Sequence, residues 1–185
     1  MFGKVDLGNT YYYGSDTHRY INDLIGKGSE VLIVSPYVDR YYAEIILEKS
    51  RDRKFYLISS SMENDVLRLF NAGSQLWIPA YLGLSMILLG LLLFIGATGA
   101  LLLPSIAPIA IGIIKNAGKG SGVRLKVPKQ FVHAKMYISE GMAITGSANL
   151  TYKGTYKNLE QINIIYNKAD IDKLRNQFWG MWGKL

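Results

Sequence analysis

Two hydrophobic periods alternate along this chain. Residues 20, 21, 24 and 25 (Tyr20, Ile21, Leu24, Ile25) fall on one helical face. Ser15, Asp16 and Thr17 offer N-caps ahead of them, and Gly26 and Gly28 end the pattern. Residues 30–38 read EVLIVSPYV, a run of branched apolar side chains that predicts a strand buried on both faces. Asp39 then predicts a cap for a second helix with Ala43, Ile46 and Leu47 inward. Residues 54–59 predict another strand. Ser60 and Glu63 have the spacing of a capping box, opening a third helix that buries Val66, Leu69 and Phe70. Further on, residues 123–127, 132–138, 142–145 and 159–167 predict strands, with a turn at Gly141 and a loop or short helix over 150–158. Asp170 is placed to cap a last amphipathic helix that turns Ile171, Leu174, Phe178 and Met181 inward. The cluster Tyr11, Tyr12 and Tyr13 reads as packing or an edge strand, or else as a stacking surface. Helices alternating with strands define an α/β fold.

One segment breaks this pattern. No charged residue and no histidine occurs from Leu69 to Ile114, and residues 76–114 are mostly Leu, Ile, Gly and Ala. A membrane-spanning helix needs about 20 apolar residues, so the segment is long enough for a hairpin of two, turning near Gly96 to Gly99. Trp77 and Tyr81 suit an interface. Pro104 and Pro108 suit a kink or a re-entrant path. A buried soluble hairpin is the competing reading. The expected organisation is three parts: residues 1–75, an inserted membrane hairpin at 76–114, and residues 115–185. If both flanking parts build one sheet, they share one side of a bilayer and the crossings are even in number. Arg68, Lys115, Lys119, Arg124, Lys126 and Lys129 flank the insert, which points to a membrane protein with a cytoplasmic domain.

The net charge of +7 and pI of about 9.5 favour an anionic partner, lipid surface or nucleic acid. With no cysteine among 185 residues, disulfides and thiolate metal sites are excluded. No secretory leader is visible in the first ten residues.

The chemistry concentrates between His133 and Glu160. On a strand over 132–138, His133 and Lys135 share one face, while Val132, Ala134, Met136 and Ile138 take the other. An imidazole can attack phosphorus or move a proton, and a neighbouring ammonium can hold phosphate oxygens. Ser147 and Asn149 share parity and add neutral donors. The order His133, Lys135, Glu140, then Gly146, Ser147 and Asn149, then Glu160, resembles the phospholipase D superfamily and its HKD motif. Two departures stand out: Glu140 replaces the usual Asp, and the loop before Gly146 is one residue shorter.

The resemblance implies a phospholipase D-like mixed sheet flanked by helices. It implies His133 as nucleophile through a phosphohistidine and Lys135, Ser147 and Asn149 as phosphate ligands. Glu160 would orient His133, and Glu140 and Gly146 would be structural. No metal and no cofactor are implied. The chemistry wants two histidines, yet the chain has only His18 and His133, and His18 lacks the motif. A two-fold homodimer sharing one active site supplies the second. The function expected is a membrane-anchored phosphodiesterase, with a slight preference for phospholipid. A membrane-anchored endonuclease and a catalytically degenerate membrane scaffold are the alternatives.

Overall fold

The protein is described here from a computed structural model, over residues 9–75 and 122–185. The chain divides into two compact units, one of Met1–Phe70 with Gly122–Leu185 and the other of Asn71–Ser121. The apolar segment 76–114 lies outside the described residues.

The first unit is built on a seven-stranded mixed sheet. Its elements run β1 (Asn9–Gly14), α1 (His18–Gly26), β2 (Glu30–Val34), β3 (Tyr37–Val38), α2 (Arg40–Lys49), β4 (Lys54–Ile58), β5 (Ser61–Met62) and α3 (Asn64–Gln75). After the undescribed segment come β6 (Val123–Lys126), β7 (Met136–Ile138), β8 (Ala143–Gly146), α4 (Tyr152–Tyr156), β9 (Glu160–Ile165) and α5 (Lys168–Lys184). The strand order is β1-β9-β8-β7-β2-β4-β6. Strands β2, β4 and β6 are parallel, and every other neighbouring pair is antiparallel. Strands from before and after the apolar segment therefore share one sheet, as the sequence requires of a single domain. Where the chain re-enters at Gly122, a Cβ would lie 2.2 Å from the Arg53 carbonyl oxygen, so only glycine fits there.

Both faces of the sheet are covered. On one, Ile21, Leu24, Tyr42, Ala43, Ile46, Val66 and Phe70 of α1–α3 pack on Val31, Ile33, Phe55, Leu57, Tyr137, Ile144, Ile162 and Ile164. On the other, Ile171 and Phe178 of α5 pack on Leu32, Val34, Met136, Ile138, Ala143 and Ile165. This double cover explains the continuous apolar run of β2.

Three local expectations need correction. The strand expected over 30–38 stops at Val34, because Pro36 has no N–H to continue the ladder. Tyr37–Val38 instead pairs with Ser61–Met62 in a separate small sheet. The capping box of Ser60 and Glu63 does not form, since Ser60 bonds the Val132 backbone. The last helix is capped by Asn167, whose side chain accepts from the Asp170 N–H, rather than by Asp170.

The membrane assignment is also corrected. Among the described residues no helix is long and apolar enough to cross a bilayer. The longest, α5, has 17 residues and carries charges at Lys168, Asp170, Asp172, Lys173, Arg175 and Lys184. A span needs about 20 largely uncharged residues. The membrane localisation, and the cytoplasmic placement that depended on it, are therefore not retained.

Candidate active site

Apart from Glu140, the motif residues meet at one end of the sheet. Register sets Val34 opposite Met136, Met136 opposite Thr145, and Gly146 opposite Ile162. The exits of β2, β4 and β8 thus lie beside the entries of β7 and β9. Loops at the carboxyl ends of parallel strands are where open α/β sheets hold ligands.

Three side-chain anchors shape these loops. Buried Ser35, just after β2, accepts from the Leu150 N–H at 3.0 Å and donates to the Tyr37 carbonyl at 2.8 Å. Buried Tyr137 donates to the Ala148 carbonyl at 2.8 Å, which fixes the turn between Ser147 and Asn149. Burial pushes the Tyr137 phenol well above its ordinary range, so it remains a donor. Ser60 accepts from the Val132 N–H at 2.7 Å and donates to its carbonyl at 3.2 Å. That pair of bonds explains why β7 begins at Met136 rather than at Val132. The backbone just before His133 is bonded to a side chain and leaves the ladder. The simple alternation expected for 132–138 fails as well: Tyr137 is buried, and Ala134 is exposed.

His133 is exposed, whereas Lys135 is buried. The Lys135 ammonium lies 3.3 Å from His133 Nδ1 and 3.2 Å from Nε2, and donates to the His133 carbonyl at 3.0 Å. Desolvation lowers the Lys135 pKa, and the Glu160 carboxylate acts in the opposite direction. Glu160 is also buried; it accepts from Ser147 Oγ and, at 3.2 Å, from Asn158 Nδ2. Its expected hydrogen bond to His133 is not formed in the single chain, where its oxygens accept from Ser147 and Asn158 instead. Exposed Ser147 also accepts from the Gln161 N–H at 3.0 Å. Among the described residues, Asn149 Oδ1 is buried without a hydrogen-bond partner.

Gly146 permits the β8–β9 approach. A Cβ there would lie 2.2 Å from the Gln161 carbonyl oxygen and 2.8 Å from Ile162 Cα. Exposed Tyr37 and Phe131 border the site, with rings 6.0 Å apart and Phe131 6.1 Å from the His133 ring. Sequence reasoning missed Ser35, Ser60, Asn158 and Phe131 as site residues. Only Ser35 and Ser60 carried a signal, and it read as a strand end and a helix cap.

His18 and Glu140 lie elsewhere. His18 stacks on Tyr156 at 3.8 Å and does not join the cluster. Tyr152 and Tyr156 stack on each other, 4.7 Å between centroids. Glu140 sits at the opposite end of β7, accepting from Ser29 N–H at 3.3 Å and from Ser29 Oγ. Those bonds hold its carboxyl below the usual range. Its contribution to stability is therefore present above the ordinary Glu pKa and is lost as pH falls through the lowered one. Glu140→Ala should lower the melting temperature at neutral pH, less so in acid, and leave turnover unchanged. Thermal melts across pH with a parallel rate assay check this.

An exposed imidazole against a buried ammonium, with Ser147, Asn149 and a buried carboxylate at one sheet end, offers a nucleophile and donors of the kind that phosphate chemistry uses. Residues 21–182 match the family described as cardiolipin synthase, PLD-like domain. The chain belongs to that phospholipase D-like family. No curated protein sequence matches it significantly. Among solved structures, this phospholipase D-like chain is similar to Nuc of Salmonella typhimurium, a phospholipase D family member. That match has 13% identity and a TM-score of 0.55, over 95% of this chain and 93% of Nuc. NucT from Helicobacter pylori is similar at 16% identity and a TM-score of 0.53, over 95% of both chains. Polyphosphate kinase from Porphyromonas gingivalis matches over 95% of this chain and 26% of its own, at 11% identity and a TM-score of 0.54. At such identities the likeness is one of fold.

Proposed function

We propose that the protein is a phosphodiesterase working through a phosphohistidine on His133. The observation that carries this is the contact of the buried Lys135 ammonium with the exposed His133 ring, with the Glu160 carboxylate acting on the same ammonium. A ring nitrogen of His133 attacks phosphorus, a P–N bond forms, and the bond to the leaving oxygen breaks. The leaving oxygen takes its proton from a second imidazole. Water then attacks phosphorus and passes a proton to that imidazole, and the P–N bond breaks. Lys135, Ser147 and Asn149 hold the non-bridging oxygens as charge grows on them. Glu160 accepts from the Ser147 hydroxyl, which turns to the phosphate oxygen when substrate binds, and it favours the charged form of Lys135.

The second imidazole comes from another copy of the chain, since His18 is stacked on Tyr156. A two-fold homodimer brings two His133 rings to one site. Mixing wild-type chains with an equal amount of His133→Ala chains, unfolded and refolded together, tests this. If both histidines are needed, only wild-type pairs turn over, and the specific activity of the mixture falls to about one quarter by random pairing. A value of one half would sink the shared site.

The preference for phospholipid rested on the apolar segment as a membrane insert, and it goes with that assignment. A nucleic-acid diester is the substrate class favoured instead. The surface bordering Ser147 combines exposed rings with side-chain amides, through Tyr11, Gln161 and Asn163. A scaffold without turnover would show the same low rate in wild type and His133→Ala.

A further inference from the structure

Strand β1 has one face in the core and one in solvent. Tyr12 packs against the apolar core and against Tyr20, 5.1 Å between rings. Tyr11 and Tyr13 project the other way, 71% and 68% exposed. Register sets Tyr11 opposite Asn163 and Tyr13 opposite Gln161, and sets Asn163 opposite Thr145. Residues paired across a sheet share a face, so five side chains form one shelf: Tyr11, Tyr13, Thr145, Gln161 and Asn163. The cover supplied by α5 extends over Ala143 and Ile165, and the shelf begins beyond it.

The shelf contains a cleft of about 430 Å³, lined by Tyr11, Thr145, Gly146, Ser147, Gln161 and Asn163. That lies within the range of small-ligand sites. Asn163 Oδ1 is buried there with no hydrogen-bond partner among the described residues. Ser147 belongs to both places: it lines the cleft and its hydroxyl donates to Glu160 in the phosphate site.

We infer that this shelf is a base-binding subsite for a single-stranded nucleic acid whose adjacent phosphate lies at Lys135 and Ser147. The inference rests on the phosphodiesterase reading of that site. Two tyrosines separated by one residue on an exposed strand present flat faces at the spacing of successive side chains on one face of a strand. Base–aromatic stacking contributes about 1–3 kcal/mol per base whatever the sequence. The amides of Gln161 and Asn163 offer donors and acceptors to base edges. An acyl chain would leave Asn163 Oδ1 and the Gln161 amide desolvated and unpaired, at about 1–3 kcal/mol each. A duplex keeps its base faces stacked inside, so the shelf selects single strands. The shelf has no charged side chain, and phosphate neutralisation falls to Lys135 and the overall positive charge.

The test is equilibrium binding by fluorescence anisotropy, using the full chain carrying His133→Ala so that nothing is cut. Three probes of equal length are compared: oligo-dT, an abasic strand with the same phosphates, and a duplex. Oligo-dT should bind at least about 10-fold more tightly than the abasic strand or the duplex. Adding Tyr11→Ala and Tyr13→Ala should close most of that gap. Both rings are exposed, so the thermal midpoint and sedimentation state should stay unchanged. Equal affinities for oligo-dT and the abasic strand would overturn the shelf, as would dimer loss in the tyrosine variant, which would assign the face to a second copy. Wild-type cleavage separates the two readings. Cleavage dependent on His133 with no base effect leaves the phosphodiesterase standing and removes the shelf. A base effect with no cleavage does the reverse.

Discussion

His133→Ala should reduce turnover of a phosphodiester by about 10⁴-fold or more, the scale seen when a nucleophile is removed from an active site. The fold should be untouched. His133 is exposed and its backbone is held by Ser60 through Val132, so loss of the ring opens no cavity. Lys135 retains its bond to the His133 carbonyl, which the substitution leaves in place. Steady-state rates and a thermal melt on the same preparation separate chemistry from stability. A fall in rate that tracks a fall in melting temperature would assign His133 to structure.

Lys135→Met should separate activity from stability in the other direction. The ammonium is the fixed cation nearest the nucleophile, and losing such a group typically costs about 10²–10³ in rate. Yet it is buried, and desolvation is the largest cause of its lowered pKa. A lysine whose folded pKa is below its unfolded value binds fewer protons folded than unfolded in the window between the two. Stability therefore rises with pH across that window, and the charge is a burden below it. Methionine matches the length of the stem without the charge. The variant should be at least as stable as wild type near neutral pH while losing activity, with no alkaline gain of its own. Wild-type activity should begin to decline below the ordinary lysine pKa as Lys135 loses its proton. A denaturant titration and a pH–rate profile check both halves. A clear loss of stability in the variant would show the ammonium to be a net structural support.

What was legible in the sequence follows from the range of the interactions. The strands around Val31, Phe55 and Ile162 and the helices around Leu24, Ile46 and Phe178 were set by local apolar period, and they form the two faces of one sheet. The order of His133, Lys135, Ser147, Asn149 and Glu160 pointed to a shared site, and sheet register brings these residues to one end. The partners inside that site were not legible. Ser60 and Glu63 suit a capping box by spacing alone, yet Ser60 spends its hydroxyl on Val132, 72 positions away. Glu160 could serve His133 or Ser147 equally well on paper, and Ser147 lies beside it across the β8–β9 pair. The alternation over 132–138 suggested one polar face, but a sheet covered on both sides buries Tyr137 as fully as Ile138. The Tyr11 and Tyr13 face could be judged only once Asn163 and Gln161 were placed beside it.

The covalent step can be observed directly. Wild-type protein mixed with a short single-stranded oligonucleotide, quenched within milliseconds by alkaline denaturant and digested, should yield a nucleotidyl adduct on the peptide carrying His133. The adduct should be acid-labile, as a P–N bond is, and absent from His133→Ala. Turnover with no adduct on any peptide, or with the adduct on another residue, would contradict the assignment of His133 as the nucleophile.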